Sequence, residues 1–181
     1  MNRVDAIYDW AGLLVRDYVL STYDASANVL DVGAGWGKYR VLLGTMPNVD
    51  ACEVWEPTVD AERLRQLYRH VFVCDVVELT TSPWWPSSNY DLVIMGDVLE
   101  HITREDAQAT VERVLYTSAD LLVVVPFMYP QDEEDGNVYQ RHLQDDLTPE
   151  LMTVAYPQLE LVALETRSFR PFKGIYVGSN R

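Results

Sequence analysis

The chain has 181 residues, 48% of them hydrophobic, which suits a single domain with one core. Its formal net charge of −14 opposes binding to the phosphate backbone of DNA or bulk RNA and favours a cationic ligand. Two cysteines and three histidines are scattered without zinc-ligand spacing, so no metal is expected. No apolar run approaches the roughly 20 residues that cross a bilayer, and the start lacks a signal-peptide pattern. We therefore expect a cytosolic location and no membrane partner.

The apolar pattern predicts one leading helix and then alternating strands and helices. Residues 5–20 carry apolar side chains at three- and four-residue intervals, namely Ile7, Trp10, Leu14 and Tyr18. Short β-branched or apolar runs predict buried parallel strands at residues 28–32, 49–54, 71–74, 91–95 and 120–125. Helical spacing lies between them at residues 38–43, 59–68 and 104–115, the last preceded by Thr103 as N-cap. This order predicts a doubly wound α/β sheet with right-handed crossovers.

Two segments interrupt this alternation. Residues 80–89, TTSPWWPSSN, predict a loop in place of a crossover helix because of their prolines and small polar residues. Residues 127–146 lack apolar periodicity, carry an acidic patch at 132–135, and predict a mobile surface loop. A helix at 147–156 and two strands at 159–165 and 172–178 complete the chain.

A glycine-rich turn, GAGWG at residues 33–37, follows the first strand. Such a turn lets the backbone approach a ligand closely and points helix N-terminal amides at it. Many α/β proteins need glycine there for turn geometry alone, so this motif by itself leaves both interpretations open. The dinucleotide fingerprint would require glycine at position 38, where Lys38 stands, which counts against an NAD or FAD oxidoreductase.

Acidic residues stand at the ends of four predicted strands, namely Asp31, Glu53, Asp75 and Asp97. Open α/β sheets bind ligands at the carboxyl ends of their strands, so these side chains are expected to share one site. Glu53 follows Asp31 by 22 positions (53 − 31), where nucleotide folds place the carboxylate that accepts both ribose hydroxyls. Glu56 is the alternative, although Pro57 suggests that position 56 already belongs to the next helix. Asp31 could instead bond the amides of the glycine turn.

Together these motifs resemble the class I, seven-stranded S-adenosylmethionine-dependent methyltransferases, over residues 29–178. The matching segments are DVGAGWG at 31–37, VDACE at 49–53, VFVCD at 71–75 and YDLVIMGDVLEH at 90–101. The resemblance implies a mostly parallel sheet of seven strands with an antiparallel last strand and helices on both faces. It also implies S-adenosylmethionine as cofactor, and one domain over residues 1–181 without a separate cap.

Family likeness also implies roles for the motif residues. Asp31, Gly33, Gly35 and Gly37 would shape the methionine pocket, with Asp97 at the methyl end. Glu53 would hold the ribose and Asp75 the adenine amine, while Val54 and Val76 would pack against the adenine ring.

The predicted function is methyl transfer to a small-molecule acceptor, such as a metabolite, a saccharide or a natural product. Asp97, His101 and His142 are the candidate bases, although His101 could form only a pocket wall and His142 could be a solvated loop residue. The segment Tyr129 to Leu143 is expected to gate the acceptor site. The alternatives are a non-catalytic cofactor-binding or regulatory domain, and a protein or tRNA methyltransferase. The sequence indicates no oligomeric state.

Overall fold

The computed structural model describes residues 9–85, 89–117 and 120–180, and within them the chain builds one seven-stranded sheet. The strand order is β3-β2-β1-β4-β5-β7-β6. The strands are β1 Val29–Val32, β2 Val49–Cys52, β3 Val71–Phe72, β4 Leu92–Gly96, β5 Asp120–Pro126, β6 Glu160–Arg167 and β7 Arg170–Ser179. Strands β1 to β5 pair in parallel, and β7 is antiparallel to both β5 and β6. The predicted fold class is confirmed.

Helices cover both faces of this sheet. They are α1 Trp10–Thr22, α2 Lys38–Leu42, α3 Glu56–Ala61, α4 Leu64–Leu67, α5 Val76–Thr81, α6 Arg104–Thr117 and α7 Pro149–Ala155. Two 3-10 turns, Leu99–His101 and Val138–Gln140, follow β4 and β5. Asp9 caps α1 by accepting the Gly12 amide at 2.7 Å. The predicted helical residues 5–8 lie outside the described residues.

Successive side chains of each strand point to opposite faces of the sheet, so the core consists of two layers. Leu30 and Val32 of β1 face the layer that contains α5, α6 and α7. Val29 faces the opposite layer, which contains α1, α2 and the buried side chains Val59 and Leu64 of α3 and α4. The chain proceeds from β1 through β2 to β3 on one side and through β4 to β5 on the other, so the strand order reverses between β1 and β4. A crevice opens above their carboxyl ends, where α/β sheets bind ligands.

Two predicted elements were wrong in detail. The helix predicted at 59–68 breaks into α3 and α4, because Arg63 between them adopts a left-handed conformation with φ 53°. The loop predicted at 80–89 begins too early, since α5 continues to Thr81. The Asp75 side chain caps α5, whose residues Val76 and Leu79 are buried. Residues 86–88 of that loop lie outside the described residues.

Residues 127–146, predicted to form a surface loop, are largely exposed and irregular apart from the 3-10 turn Val138–Gln140. The segment folds back over the sheet edge, and the His142 amide bonds the Gln131 carbonyl at 2.9 Å. The amides of Leu143 and Gln144 both donate to the Glu100 carbonyl, at 2.7 and 3.0 Å. These bonds join the segment to the turn after β4, so its side chains cover the crevice.

Candidate active site

The glycine turn after β1 forms one wall of the crevice. Gly33 and Gly35 have φ angles of 66° and 51°, which side chains with a Cβ rarely adopt. The Cys52 carbonyl accepts the Gly33 amide at 2.8 Å, and the Glu53 carboxylate accepts the Gly35 amide at 2.9 Å. A Cβ on Gly35 would meet only the Gly33 carbonyl, at 3.8 Å, so this position opens onto the crevice. The turn therefore offers bare backbone to a ligand.

Glu53 follows β2 directly and is 7% exposed. Besides the Gly35 amide, its carboxylate accepts the Trp55 amide at 2.9 Å. A carboxylate has about four lone-pair positions, so two backbone bonds leave capacity for two more donors. Glu53 thus both holds the glycine turn and presents acceptors to the crevice.

A first cavity of about 120 Å³ runs along this wall. Among the residues that line it are Gly33, Gly35, Glu53, Val54, Asp75, Val76, Asp97 and His101. Two of these residues are valines that provide an apolar surface, three carry carboxylates, and the glycine turn adjoins them. This set fits S-adenosylmethionine, whose adenine, ribose and methionine parts need those three kinds of surface. The individual cofactor contacts stay predictions.

Asp75 has a structural role that the sequence did not indicate. Its Oδ1 accepts the Val77 amide at 2.8 Å and caps α5, while the residue lines the first cavity. The cap fixes the side chain at the mouth of the cavity.

Asp31 and Gly37, which were expected to shape the methionine pocket, are not among the residues lining the first cavity, and their part in cofactor binding stays a prediction. Asp31 is not at a strand tip but inside β1, fully buried, and it accepts a hydrogen bond from the Tyr68 hydroxyl. It does not bond the glycine turn, whose Gly33 and Gly35 amides are taken by Cys52 and Glu53. Burial raises the pKa of Asp31 to about 7.

Gly37 caps the start of α2 in a left-handed conformation, with φ 82°. A Cβ there would approach the Leu67 side chain to 3.2 Å. Asp31 and Gly37 thus belong to the packing around the glycine turn.

A second cavity of about 360 Å³ adjoins the first and shares five lining residues with it, namely Gly33, Gly35, Asp97, His101 and Gln140. The structure brings the three predicted catalytic residues, Asp97, His101 and His142, to its wall. Asp97 adopts φ 56° directly after β4 and pairs with Lys173 of β7 at 2.8 Å. The catalytic roles of these residues stay predictions.

The two histidines are in contact, with ring centroids 4.6 Å apart. His101 Nδ1 lies 3.2 Å from the Arg141 carbonyl, and His142 Nδ1 lies 2.6 Å from the Tyr129 carbonyl. A carbonyl can only accept, so each Nδ1 carries the proton. Burial, reinforced by His142, lowers the pKa of His101, which favours the neutral ring.

Sequence analysis missed Glu100 and Lys173. Glu100 is 1% exposed, lines the second cavity, and has no hydrogen-bond partner for either carboxylate oxygen within the described residues. Burial, followed by the charge of Asp97, raises the pKa of Glu100 well above its ordinary value. Glu100 could have been predicted as a site residue, because it is an acidic residue next to His101 in the turn after β4. The sequence contains no pattern that would have predicted Lys173 as a site residue.

Comparison with known proteins identifies the family. The sequence profile described as the methyltransferase domain matches residues 30–123, just over half of the chain. The chain belongs to the methyltransferase domain family. Together with the seven-stranded fold, this makes it a class I S-adenosylmethionine-dependent methyltransferase. No curated protein matches the sequence.

Solved structures share the fold of this methyltransferase at low identity. The N-terminal domain of EvdMO1, crystallised with SAH bound, has a TM-score of 0.64 and 17% identity over 96% of this chain and 85% of that one. An S-adenosylmethionine-dependent methyltransferase from Clostridium acetobutylicum has a TM-score of 0.67 and 14% identity, covering 98% and 94%. The mitomycin 7-O-methyltransferase MmcR has a TM-score of 0.57 and 15% identity, covering 93% and 54%.

Replacing Glu53 by alanine should weaken cofactor binding much more than replacing Glu56. Loss of a charged acceptor typically costs about 1.5 to 3 kcal/mol, or roughly ten- to a hundredfold in affinity. Glu56 is exposed at the start of α3, so Glu56→Ala controls for the loss of one charge. Calorimetric titration with S-adenosylhomocysteine measures both variants. Equal dissociation constants would show that Glu53 does not contact the cofactor.

Proposed function

We propose that this methyltransferase modifies a small-molecule acceptor held in the second cavity. The observation that carries the proposal is the cavity itself, about 360 Å³, which shares one wall with the first cavity. Pockets for small ligands typically span about 300 to 1,000 Å³, whereas a protein or tRNA acceptor needs an extended surface. The net charge of −14 further disfavours tRNA.

The polar lining favours a metabolite, saccharide or natural product that carries hydroxyl or amine groups. Charged or titratable side chains on the wall include Asp97, Glu100, His101, His142 and Lys173. Two structures of similar fold support this class by their own ligands or names. The EvdMO1 domain was crystallised in the presence of SAH and D-fucose, and MmcR is a mitomycin 7-O-methyltransferase.

S-adenosylmethionine, when bound, supplies a methyl group on a sulfonium sulfur that departs as a neutral thioether. The protein's part is to hold the acceptor atom in line with that methyl group, because positioning provides much of the rate in such a displacement. The acceptor atom gains the carbon and loses a proton. Asp97, His101 and His142 line the acceptor cavity and are the groups proposed to take it.

We also propose that elements of this chain itself cover the acceptor. Asp9 at the start of α1 lines the second cavity, together with Tyr129, Gln131, Gln140 and His142 of the segment 127–146. Among the described helices, none combines the length and apolar character needed to span a bilayer. The cytosolic location expected from the sequence stays a prediction.

The acceptor class is tested by incubating the protein with methyl-labelled cofactor and three separate pools: a small-molecule extract, a protein extract and tRNA. We expect label to enter only the small-molecule pool. Label confined to protein or tRNA would overturn the proposal. Binding of S-adenosylhomocysteine without turnover in any pool would instead indicate a cofactor-binding regulatory domain.

Once an acceptor is found, His142→Ala should lower the turnover rate by about a hundredfold or more, the usual contribution of a positioned acid or base. The cofactor dissociation constant should change little, because His142 lines the second cavity and not the first. His70→Ala removes an exposed histidine outside both cavities and serves as the control. An unchanged rate for His142→Ala would mean that the segment Tyr129 to Leu143 has only a structural role.

A further inference from the structure

We propose that Glu100, His101 and His142 bind one divalent transition-metal ion at the wall of the second cavity. Each residue offers one ligand atom, and these atoms lie within 4.8 Å of one another. All three residues line the cavity. Two imidazoles and one carboxylate are the ligand set that holds Zn²⁺ or Fe²⁺ with positions left open for other ligands.

Each imidazole has one ring nitrogen left to act as a ligand. His101 and His142 each donate from Nδ1 to a main-chain carbonyl, that of Arg141 and that of Tyr129. The lone pair of each neutral ring is therefore on Nε2. Metal-bound histidines usually have this arrangement, in which a hydrogen bond from the second ring nitrogen fixes the tautomer and the orientation of the ring.

Glu100 lacks the compensation that a buried carboxylate needs. It is 1% exposed, and no other residue in the described part of the chain donates a hydrogen bond to either oxygen. An ionised carboxylate in such a place is strongly disfavoured unless a cation or donors accompany it. Lys173 of the same cavity pairs with Asp97 at 2.8 Å. A metal ion would supply the positive charge that Glu100 lacks.

The backbone holds the ligand-bearing segments together. Glu100 and His101 belong to the turn after β4, and His142 belongs to the segment after β5. The Leu143 and Gln144 amides donate to the Glu100 carbonyl at 2.7 and 3.0 Å, which fixes one segment against the other. Ligands of a tetrahedral zinc ion stand roughly 3.4 Å apart, so binding would require the three atoms, now within 4.8 Å of one another, to close by up to about 1.4 Å.

The donor set also selects the kind of ion. Mg²⁺ and Ca²⁺ prefer oxygen ligands throughout, whereas imidazole suits zinc, cobalt, iron and nickel. When bound, the ion would supply Lewis-acid assistance to an acceptor oxygen in the second cavity, and Asp97, which is not one of its proposed ligands, would then be the group that takes the proton. That consequence rests on the proposed function, while binding of the ion itself does not.

Titration of the purified, untagged full chain with Co²⁺ tests the site directly, after treatment with a chelator and its removal. We expect one equivalent of Co²⁺ to bind and to produce visible absorption stronger than that of aqueous Co²⁺, and Zn²⁺ to displace it. No cofactor or acceptor is present, so the readout is independent of methyl transfer.

Four variants locate the ion. Glu100→Gln, His101→Ala and His142→Ala should each weaken Co²⁺ binding by about a hundredfold or more, since loss even of a second-shell partner costs ten- to a hundredfold. His70→Ala, which removes the exposed third histidine, should bind like the unmodified protein. Far-ultraviolet circular dichroism and thermal melting check that each variant is folded, because His101 also lines the first cavity and its loss can change cofactor binding directly. Glu100→Gln keeps the shape of the side chain and so stays informative if an alanine variant unfolds.

Absence of Co²⁺ binding in the unmodified protein would overturn the proposal, and so would equal weakening by His70→Ala. Failure of the methyltransferase proposal has a different signature, because the protein would then bind Co²⁺ but label no small molecule. Label transfer that persists undiminished in chelator, with no Co²⁺ bound by the protein, would reject the metal site and leave the proposed function intact.

Discussion

Replacing Gly96 by alanine should lower the free energy of unfolding by about 3 kcal/mol, and the melting temperature by about 6 to 12 °C. Gly96 ends β4, and a Cβ there would collide with three side-chain atoms of Tyr39, its Cζ at 2.6 Å. Tyr39 is 4% exposed and belongs to the buried face of α2, so the ring has to leave its packed position to make room. Overpacking of this kind strains a close-packed interior.

Gly44→Ala is the matched control. Gly44 is exposed, and its nearest contact for an added Cβ is the Val41 carbonyl at 3.4 Å. Urea denaturation of both variants should show a large loss for Gly96→Ala and a change of about 0.5 kcal/mol or less for Gly44→Ala. Similar values for both would mean that the Tyr39 ring is not fixed against β4.

Stability should fall between pH 5 and pH 8 by about 2 to 3 kcal/mol more in the unmodified protein than in Asp31→Asn. Burial raises the pKa of Asp31 to about 7 in the folded protein, well above the ordinary value of an aspartate. The folded state therefore holds this proton more tightly than the unfolded chain. The resulting stabilisation is complete below pH about 4 and is lost as the pH rises through about 7.

Urea denaturation at several pH values measures this difference, with Asp17→Asn as the control. Asp17 is an exposed aspartate paired with Arg16, so its variant removes the same charge without the burial. The Glu100 carboxyl contributes alike to all three proteins and cancels from the comparison. A pH profile of Asp31→Asn parallel to that of the unmodified protein would mean that Asp31 is ionised in the fold at little cost.

The local sequence was sufficient for much of the fold. Hydrophobic runs of four to six residues located β1, β2, β4 and β5, because strands buried on both faces leave little choice of composition. Boundaries were less well predicted. The break at Arg63 and the start of α5 at Val76 depend on one left-handed residue and one capping side chain, and neither changes the hydrophobic pattern.

For the site, the sequence by itself determined the glycine turn and the acidic residues that follow β2, β3 and β4. These lie near the carboxyl ends of adjacent parallel strands, and parallel pairing brings those ends to one edge whatever the details of packing. The sequence could not determine which of the carboxylates face the crevice. Asp31 faces Tyr68 in the core because its position within β1 has the parity of Val29.

Only the tertiary structure decided that His142 meets His101 and Glu100. Forty-one residues separate the histidines (142 − 101), and the segment that carries His142 has no periodic pattern. Its course is set by backbone bonds to the Glu100 carbonyl and by long-range packing over the sheet edge. Contacts between distant segments depend on how whole elements pack, and a local pattern of residue types carries no record of that packing.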